Sequence, residues 1–476
     1  DLQTVSTKGG SQTTEFTISA DKYDQNRNFF LSHYFRDHYD SWCGTLPQPS
    51  SGILITRIEV WKTNKRSNFS ESRNIMAFMD LGEGEERHIS NHHWIGSTGS
   101  VPCDSANTLM DEIKNNYPGA RVMSQASIEL EPLKAYDFEG GKDYEKIESA
   151  RLLNKSEYTL NSTLGYIMLN EALASDEILA VAYQYTYQGA TYQVGEFSSD
   201  ITTTDHSLYV KMLKGTTSSP YFPMWDLAMK NVYALGAYSI QENNFKLNIK
   251  YLSDTTGNEL PFIPVESDST IKKKTLLQLM HLDRLDANKE PNVDGRFDYI
   301  RGYTIEPEKG KIIFPVAEPF GEHLRSKFTD DAVAQKYIYT ELYDSTLTVA
   351  QQFSDKNKFL LVGEYQAGAN GTNTIKLNAM NVARGSVVVT AGGVTLNEGS
   401  DYTVDYTNGT VNILNTSIIE AGTAVSVSLE NQSVFNMQRK TLLGLDLDYA
   451  INKDFHIGGT IMHYGEKAIG DKLAIG

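Results

Sequence analysis

Between residues 174 and 200 the chain reads ASDEILAVAYQYTYQGATYQVGEFSSD, with tyrosines at every second position from Tyr183 to Tyr187. Val181, Tyr183, Tyr185 and Tyr187 fall on one side of an extended chain, and Ala182, Gln184 and Thr186 on the other. Gln188, Gly189 and Ala190 supply a turn, and Tyr192 and Val194 resume the alternation. The pattern predicts a β-hairpin with an aromatic face packed against another layer.

The same reading divides the chain into four regions. In residues 1–205, strands are mixed with a few helices. The stretch 50–64, crowded with Ile53, Ile55, Ile58, Val60 and Trp61, reads as a strand, and 73–86 as a strand followed by an acidic loop. A helix is expected over 103–119, capped by Asp104 or Ser105 and stopped by Pro118-Gly119, and a second near 143–153. Residues 206–355 read as an α+β region. Helices are expected from Pro223 toward Gly236 and over 328–345, the latter capped by Thr329; strands are expected at 244–251 and 309–321. Residues 356–432, with short alternating runs broken by Gly-Gly and Asn-Gly turns, read as a small β-sandwich. In residues 433–476, Leu443, Leu445, Leu447, Tyr449 and Ile451 alternate with Gly444, Asp446, Asp448 and Ala450. A turn at Asn452-Lys453-Asp454 returns the chain through Phe455, Ile457, Gly459 and Ile461. Arms of about ten residues with one apolar face have the length and pattern of outer-membrane barrel strands, and equally of a soluble hairpin with one buried face. The fold class expected is mainly β with some helices, α+β and multi-domain.

Composition narrows the function classes. A chain of 476 residues has room for about two to four domains. Its net charge of −17 opposes binding to nucleic-acid phosphates or to an anionic leaflet through a basic patch. There is no apolar run of about 18 residues to form a transmembrane helix. The polar start, DLQTVSTKGG, and the end, GEKAIGDKLAIG, read as the limits of a piece of something longer. Cys43 and Cys103 lack C-x-x-C spacing; one bridge between them and two unpaired thiols are equally open readings.

Chemistry-bearing clusters are sparse. The stretch 283–298 sets Asp286, Asn288, Asn292, Asp294 and Asp298 at short intervals around Gly295, and such hard oxygen donors suit calcium. The EF-hand register fails, because Arg301 stands where a bidentate Glu is needed; the plainer reading is an acidic turn whose side chains bond the local backbone. DLGEGEE (80–86) is a weaker acidic loop, and His88, His92 and His93 read as loop histidines rather than metal ligands. H-E-x-x-H, G-x-S-x-G and Walker motifs are absent from the sequence.

Longer strings carry more information. FFLSHYFRDHYD (29–40), ITRIEVWKTNKR (55–66), RNIMAFMDLGE (73–83), LASDEILAVAYQYTYQGATYQVGEFSSD (173–200), MWDLAMKNVYALGAYSI (224–240), LQLMHLDRLD with DGRFDYIRGYTIEPEKGKIIFPVAEPFG (277–321) and RGSVVVTAGGVTLNEGSDYTVDY (384–406) follow one another along the chain. Together they resemble the SprA/Sov family, the gliding-motility and type IX secretion outer-membrane translocons of Bacteroidetes. The resemblance implies a fragment of a very large single-chain β-barrel. That barrel exports folded cargo proteins bearing C-terminal sorting domains to the cell surface. Implied partners are a PorV-type barrel, a plug and a prolyl-isomerase-like subunit; no catalytic residue and no certain cofactor is implied. The expected place is the outer membrane, on its extracellular side, as a cap or gate, with the periplasmic side as the other option. The competing class is a secreted, β-rich carbohydrate-binding or adhesive surface protein, with Trp61, Trp94 and Trp225 as sugar platforms.

Overall fold

The computed structural model describes residues 2–5, 13–65, 72–96, 101–272, 274–366, 374–377, 382, 384–415, 417–418, 425–429, 438–452 and 455–468. The architecture is α+β, mostly strand, with several separate sheets and short helices between them.

The largest sheet contains the tyrosine hairpin. Strand Leu179–Tyr187 pairs with Ile53–Lys62 along nine positions and, by its first residues, with Leu208–Lys214. Leu208–Lys214 runs parallel to Ser72–Phe78, which pairs with Tyr144–Leu152, which in turn meets Ile53–Lys62 at Trp61 and Lys62. These pairings close a ring of five strands, the seam between Tyr144–Leu152 and Ile53–Lys62 being two residue pairs long. Ala190–Val194 folds back on the second half of Leu179–Tyr187. Gln188 and Gly189 form a two-residue turn, both with positive φ, as a tight hairpin requires. Tyr183 and Tyr185 are fully buried, and so are Ala180 and Ala182 on the alternate face. The strand is therefore covered on both sides. The helix His33–Cys43 packs Phe35 against Tyr183 and Tyr185, with ring centroids 5.9 and 5.8 Å apart.

The expected helix near 143–153 is instead the strand Tyr144–Leu152. Its buried residues, Tyr144, Ile147 and Ala150, recur every third position, which imitates a helical face. A β-bulge accounts for the second of these steps, from Ile147 to Ala150. Ala150 pairs with Arg73 and Ile147 with Ile75, so Glu148 and Ser149 together oppose Asn74, and Ser149 takes a positive φ.

Other expected helices are shortened. Over 103–119 the helix is Leu109–Asn116. The Asp104 carboxylate accepts from the Gly195 N–H, while Asn107 Oδ1 accepts the Leu109 N–H. Pro223–Leu227 is a single 3-10 turn, after which Val232–Ala234 joins a sheet through Ile313. Residues 328–345 break into Asp331–Tyr337 and Glu341–Asp344, because Ile338 and Tyr339 turn inward and the Tyr339 N–H bonds Phe320 O. Asp330 caps the first of these helices; Thr329 bonds Asp268 instead.

Hydrophobic cores cross the expected boundaries. Leu208–Lys214, beyond residue 205, belongs to the first core. Phe359–Gln366, expected in the sandwich, lies between Lys246–Leu252 and the early strand Thr13–Ser19 in the second sheet system. The sandwich contains Thr374–Lys376, Thr410–Ile413 and Tyr402–Asp405 in one sheet and Val387–Ala391, Val394–Thr395 and Val425–Leu429 in the other, extended by Leu2–Val5 from the start of the chain. Val389, Val411 and Ile413 fill its interior.

The terminal hairpin is long. Gln438–Asn452 and Phe455–Ala468 pair antiparallel from Gln438 opposite Ala468 to Asn452 opposite Phe455, with one irregularity between Ala450 and Asn452. Leu445 lies opposite Ile461 and Tyr449 opposite Ile457, so apolar positions of the two arms are cross-strand partners. Lys453 and Asp454 of the expected turn lie outside the described residues.

Candidate functional site

The acidic loop 80–86 and the histidine stretch 88–94 meet the helix His33–Cys43 beside the five-stranded ring. Two side-chain amide bonds position the loop: Asn107 Nδ2 donates to Asp80 O at 2.7 Å and Glu83 O at 2.9 Å. Gly82, with φ +76°, lets the backbone press against Val194, where a Cβ would lie 2.7 Å from a methyl.

Glu83 is buried, and so are its partners His33 and Lys211. The Lys211 Nζ lies 2.7 Å from Glu83 Oε1 and donates to Met79 O. His33 Nδ1 approaches the same oxygen at 3.0 Å, while its Nε2 bonds Pro223 O at 2.7 Å. Burial alone would raise the Glu83 carboxyl, but His33 and Lys211 outweigh it and hold the group well below the usual carboxylate range. Asp80, also buried, receives N–H bonds from Ser90 and Asn91; burial still pushes it up to about 6.

A second, more exposed cluster adjoins this one. The His88 ring stacks on His33 at 4.3 Å. Its Nε2 bonds Asp37 Oδ2 at 2.8 Å, and Glu85 Oε2 lies 3.9 Å away. Asp37, Glu85 and His88 form a three-residue group whose ligand atoms all lie within 4.8 Å. Arg87 already bridges both carboxylates, to Asp37 at 2.5 Å and Glu85 at 2.7 Å. A cation would have to displace that guanidinium, so the arrangement works as an electrostatic clamp between helix and loop. His92 is exposed, and His93 bonds Glu112 at 3.1 Å.

The calcium-loop residues are spent on the backbone. Asp286 Oδ1 accepts the N–H groups of Asn288 and Glu290, and Asp294 Oδ1 accepts that of Arg296. Asp298 accepts from Arg284 at 2.7 Å and Leu285 at 3.2 Å; burial, with Asp283 and Asp294 nearby, pushes it up to about 6. Asn292 is exposed. Asp286, Asp294 and Asp298 form no three-ligand group among the described residues. These hydrogen bonds are those of turn-capping side chains, the plainer of the two readings. Asp283, not picked out from sequence, organises the loop by accepting from Asp294 and Gly295.

The cysteines are both free, so of the two open readings the structure has the unpaired thiols rather than the bridge. Cys43 is buried at the end of its helix, where burial raises its thiol far above the ordinary value, and Cys103 Sγ lies 3.4 Å from Ser105 Oγ. Of the expected sugar platforms, Trp61 and Trp94 are buried, and the half-buried Trp225 donates to Tyr343 O. Among the described residues no helix is long and apolar enough to cross a membrane.

No protein-family model matches this chain, and no curated protein matches it either.

Proposed function

We propose that this chain is part of an outer-membrane protein translocon of the type IX secretion class, forming the extracellular cap or gate through which exported proteins leave, with no reaction of its own. The observation that carries the reading is the terminal hairpin. Its arms of 15 and 14 residues exceed the roughly 9–11 a tilted barrel strand needs, and they keep one antiparallel register from Gln438 to Ala450. The ordered strings between 29 and 406 that resemble SprA/Sov support it independently. Short barrel turns face the periplasm and long connections the outside. A periplasmic turn after Asn452 thus sends residues 1–432 outward. The burial of Trp61, Trp94 and the hairpin tyrosines Tyr183 and Tyr185 weighs against a sugar-binding platform. An acidic surface at a pore mouth would let exported cargo pass without adhering. On this reading the partners are cargo with C-terminal sorting domains, a PorV-type barrel, a plug and a prolyl-isomerase-like subunit.

The test is a Lys358→Cys variant in whole cells of an organism that makes the parent protein. A membrane-impermeant maleimide is expected to label the new thiol at position 358 in intact cells. Labelling only after the outer membrane is permeabilised would overturn the extracellular placement.

A further inference from the structure

A polar cleft of about 480 Å³ opens between the segment 22–27, residues 234–238 and 309–311, and the sandwich strand Thr410–Ile413. Its charge is opposite to that of the chain. Four cations, Lys22, Arg27, Lys309 and Lys311, line it against two carboxylates, Asp24 and Asp405, in a protein of net charge −17. The carboxylates are engaged. Asp24 lies 2.9 Å from Lys311 Nζ and 3.4 Å from Arg27. Asp405 caps its own turn, accepting from the N–H groups of Thr407 and Asn408 at 3.0 Å.

Lys309 is the exception to this pairing. Its Nζ donates to two neutral oxygens, Thr159 Oγ1 and Asn170 Oδ1, and among the described residues it makes no ion pair. Arg27 Nε is buried and has no hydrogen-bond partner among the described residues. Burial pushes the Lys309 amine down to about 8, the neighbouring Lys311 adding to the effect and Glu306 opposing it. Lys309 and Arg27, lining a cleft walled by Thr410 and Asn412, make a receptor for an oxyanion carried on a small polar body.

We infer that this cleft is a binding site for a phosphate-type oxyanion, held by Lys309 and Arg27. The site lies between the body and the sandwich, so occupancy also ties the two together. Asn170 Nδ2 already donates to Gly399 O at 2.9 Å across that junction.

Calorimetry on the purified chain tests this with inorganic phosphate and with glycerol 3-phosphate, chloride holding the ionic strength constant. Saturable binding of either anion is expected, and the tighter of the two tells a bare phosphate from a phosphate ester. Lys309→Gln keeps a donor for Thr159 or Asn170 and removes the charge. It should weaken binding about tenfold or more, while Lys272→Gln, at an exposed position elsewhere, should not. Absence of saturable heat at millimolar anion, or equal affinity in Lys309→Gln, would overturn the site. A measurement on the unmutated protein guards against a variant that fails to fold. Phosphate should slow amine-directed labelling of Lys309, read by mass spectrometry, and an unchanged labelling rate would overturn the proposal.

Discussion

Two hairpins with nearly the same sequence grammar have different surroundings. In Leu179–Tyr187 with Ala190–Val194, an alternating arm enters a closed ring, and both its faces are covered. In Gln438–Asn452 with Phe455–Ala468, longer arms of equally regular alternation make a two-stranded sheet. Alternation thus specifies a strand and its register, but not what will cover its apolar side. In the first hairpin the cover is the helix His33–Cys43 and the neighbouring strands. In the second, on the proposed reading, it is lipid and the rest of a barrel.

Substitutions can break this comparison, and the largest effect belongs to the charge buried beside the first hairpin. Lys211→Met removes the partner of a buried carboxylate and should cost about 3–5 kcal/mol in urea denaturation. Adding Glu83→Gln should recover part of the loss. A single variant as stable as the parent would show that Glu83 and His33 suffice as a pair. Next, Tyr185→Ser deletes a ring packed on Phe35 and a hydroxyl bonded to Pro102 O at 2.8 Å, and should cost about 3–4 kcal/mol. An unchanged melting temperature would show that Tyr185 is not a packing residue of the ring. Leu447→Lys supplies the contrast. It should leave the melting of the ring within about 0.5 kcal/mol. In cells it should reduce assembly into the outer membrane, where a lipid-facing Lys costs about 2–4 kcal/mol. Normal assembly would remove the membrane reading of the second hairpin.

A further contrast is that of pH. Asp80, Asp104 and Asp298 are each pushed up to about 6, chiefly by burial. Between about pH 4 and 6 the folded state holds protons that the unfolded chain has released, so stability falls as pH rises through 6. Glu83 has the opposite sign. Its contribution is present above the ordinary Glu value and is lost only in stronger acid. The melting temperature should therefore be higher at pH 5 than at pH 7.5, and Asp80→Asn should flatten that slope. A monotonic rise from pH 4 to 8 would contradict the assignment.

Part of the candidate site is legible in the sequence. The loop 80–86 and the histidines at 88–93 stand out as local strings. His33, Asp37 and Lys211, which give those strings their electrostatic meaning, come from separate elements. His33 is 50 positions from Glu83, Asp37 is 51 from His88, and Lys211 is 132 from Met79. Contacts over such distances are set by packing and leave no local spacing to read. Lys211 does carry a signal, a charge inside the apolar run LYVKMLK, and a charge in such a run calls for a buried partner. The loop at 283–298 is ambiguous in sequence, because Asp and Asn suit turn-capping and metal-binding equally well by composition. The direction of the Asp286 and Asp298 carboxylates, toward backbone N–H groups, is seen only in the structure.

By itself the sequence determined the strand-rich class, the turn at Gln188-Gly189, the acidic charge and the register-ready alternation of both hairpins. These follow from side-chain period and from local backbone preference, which act within a few residues. Tertiary structure alone decided the closure of the five-stranded ring, the bulge that turned an expected helix into Tyr144–Leu152, and the pairing of Glu83 with Lys211. Each of these depends on desolvation and on hydrogen bonds between distant segments, whose free energy is realised only once those segments are packed together.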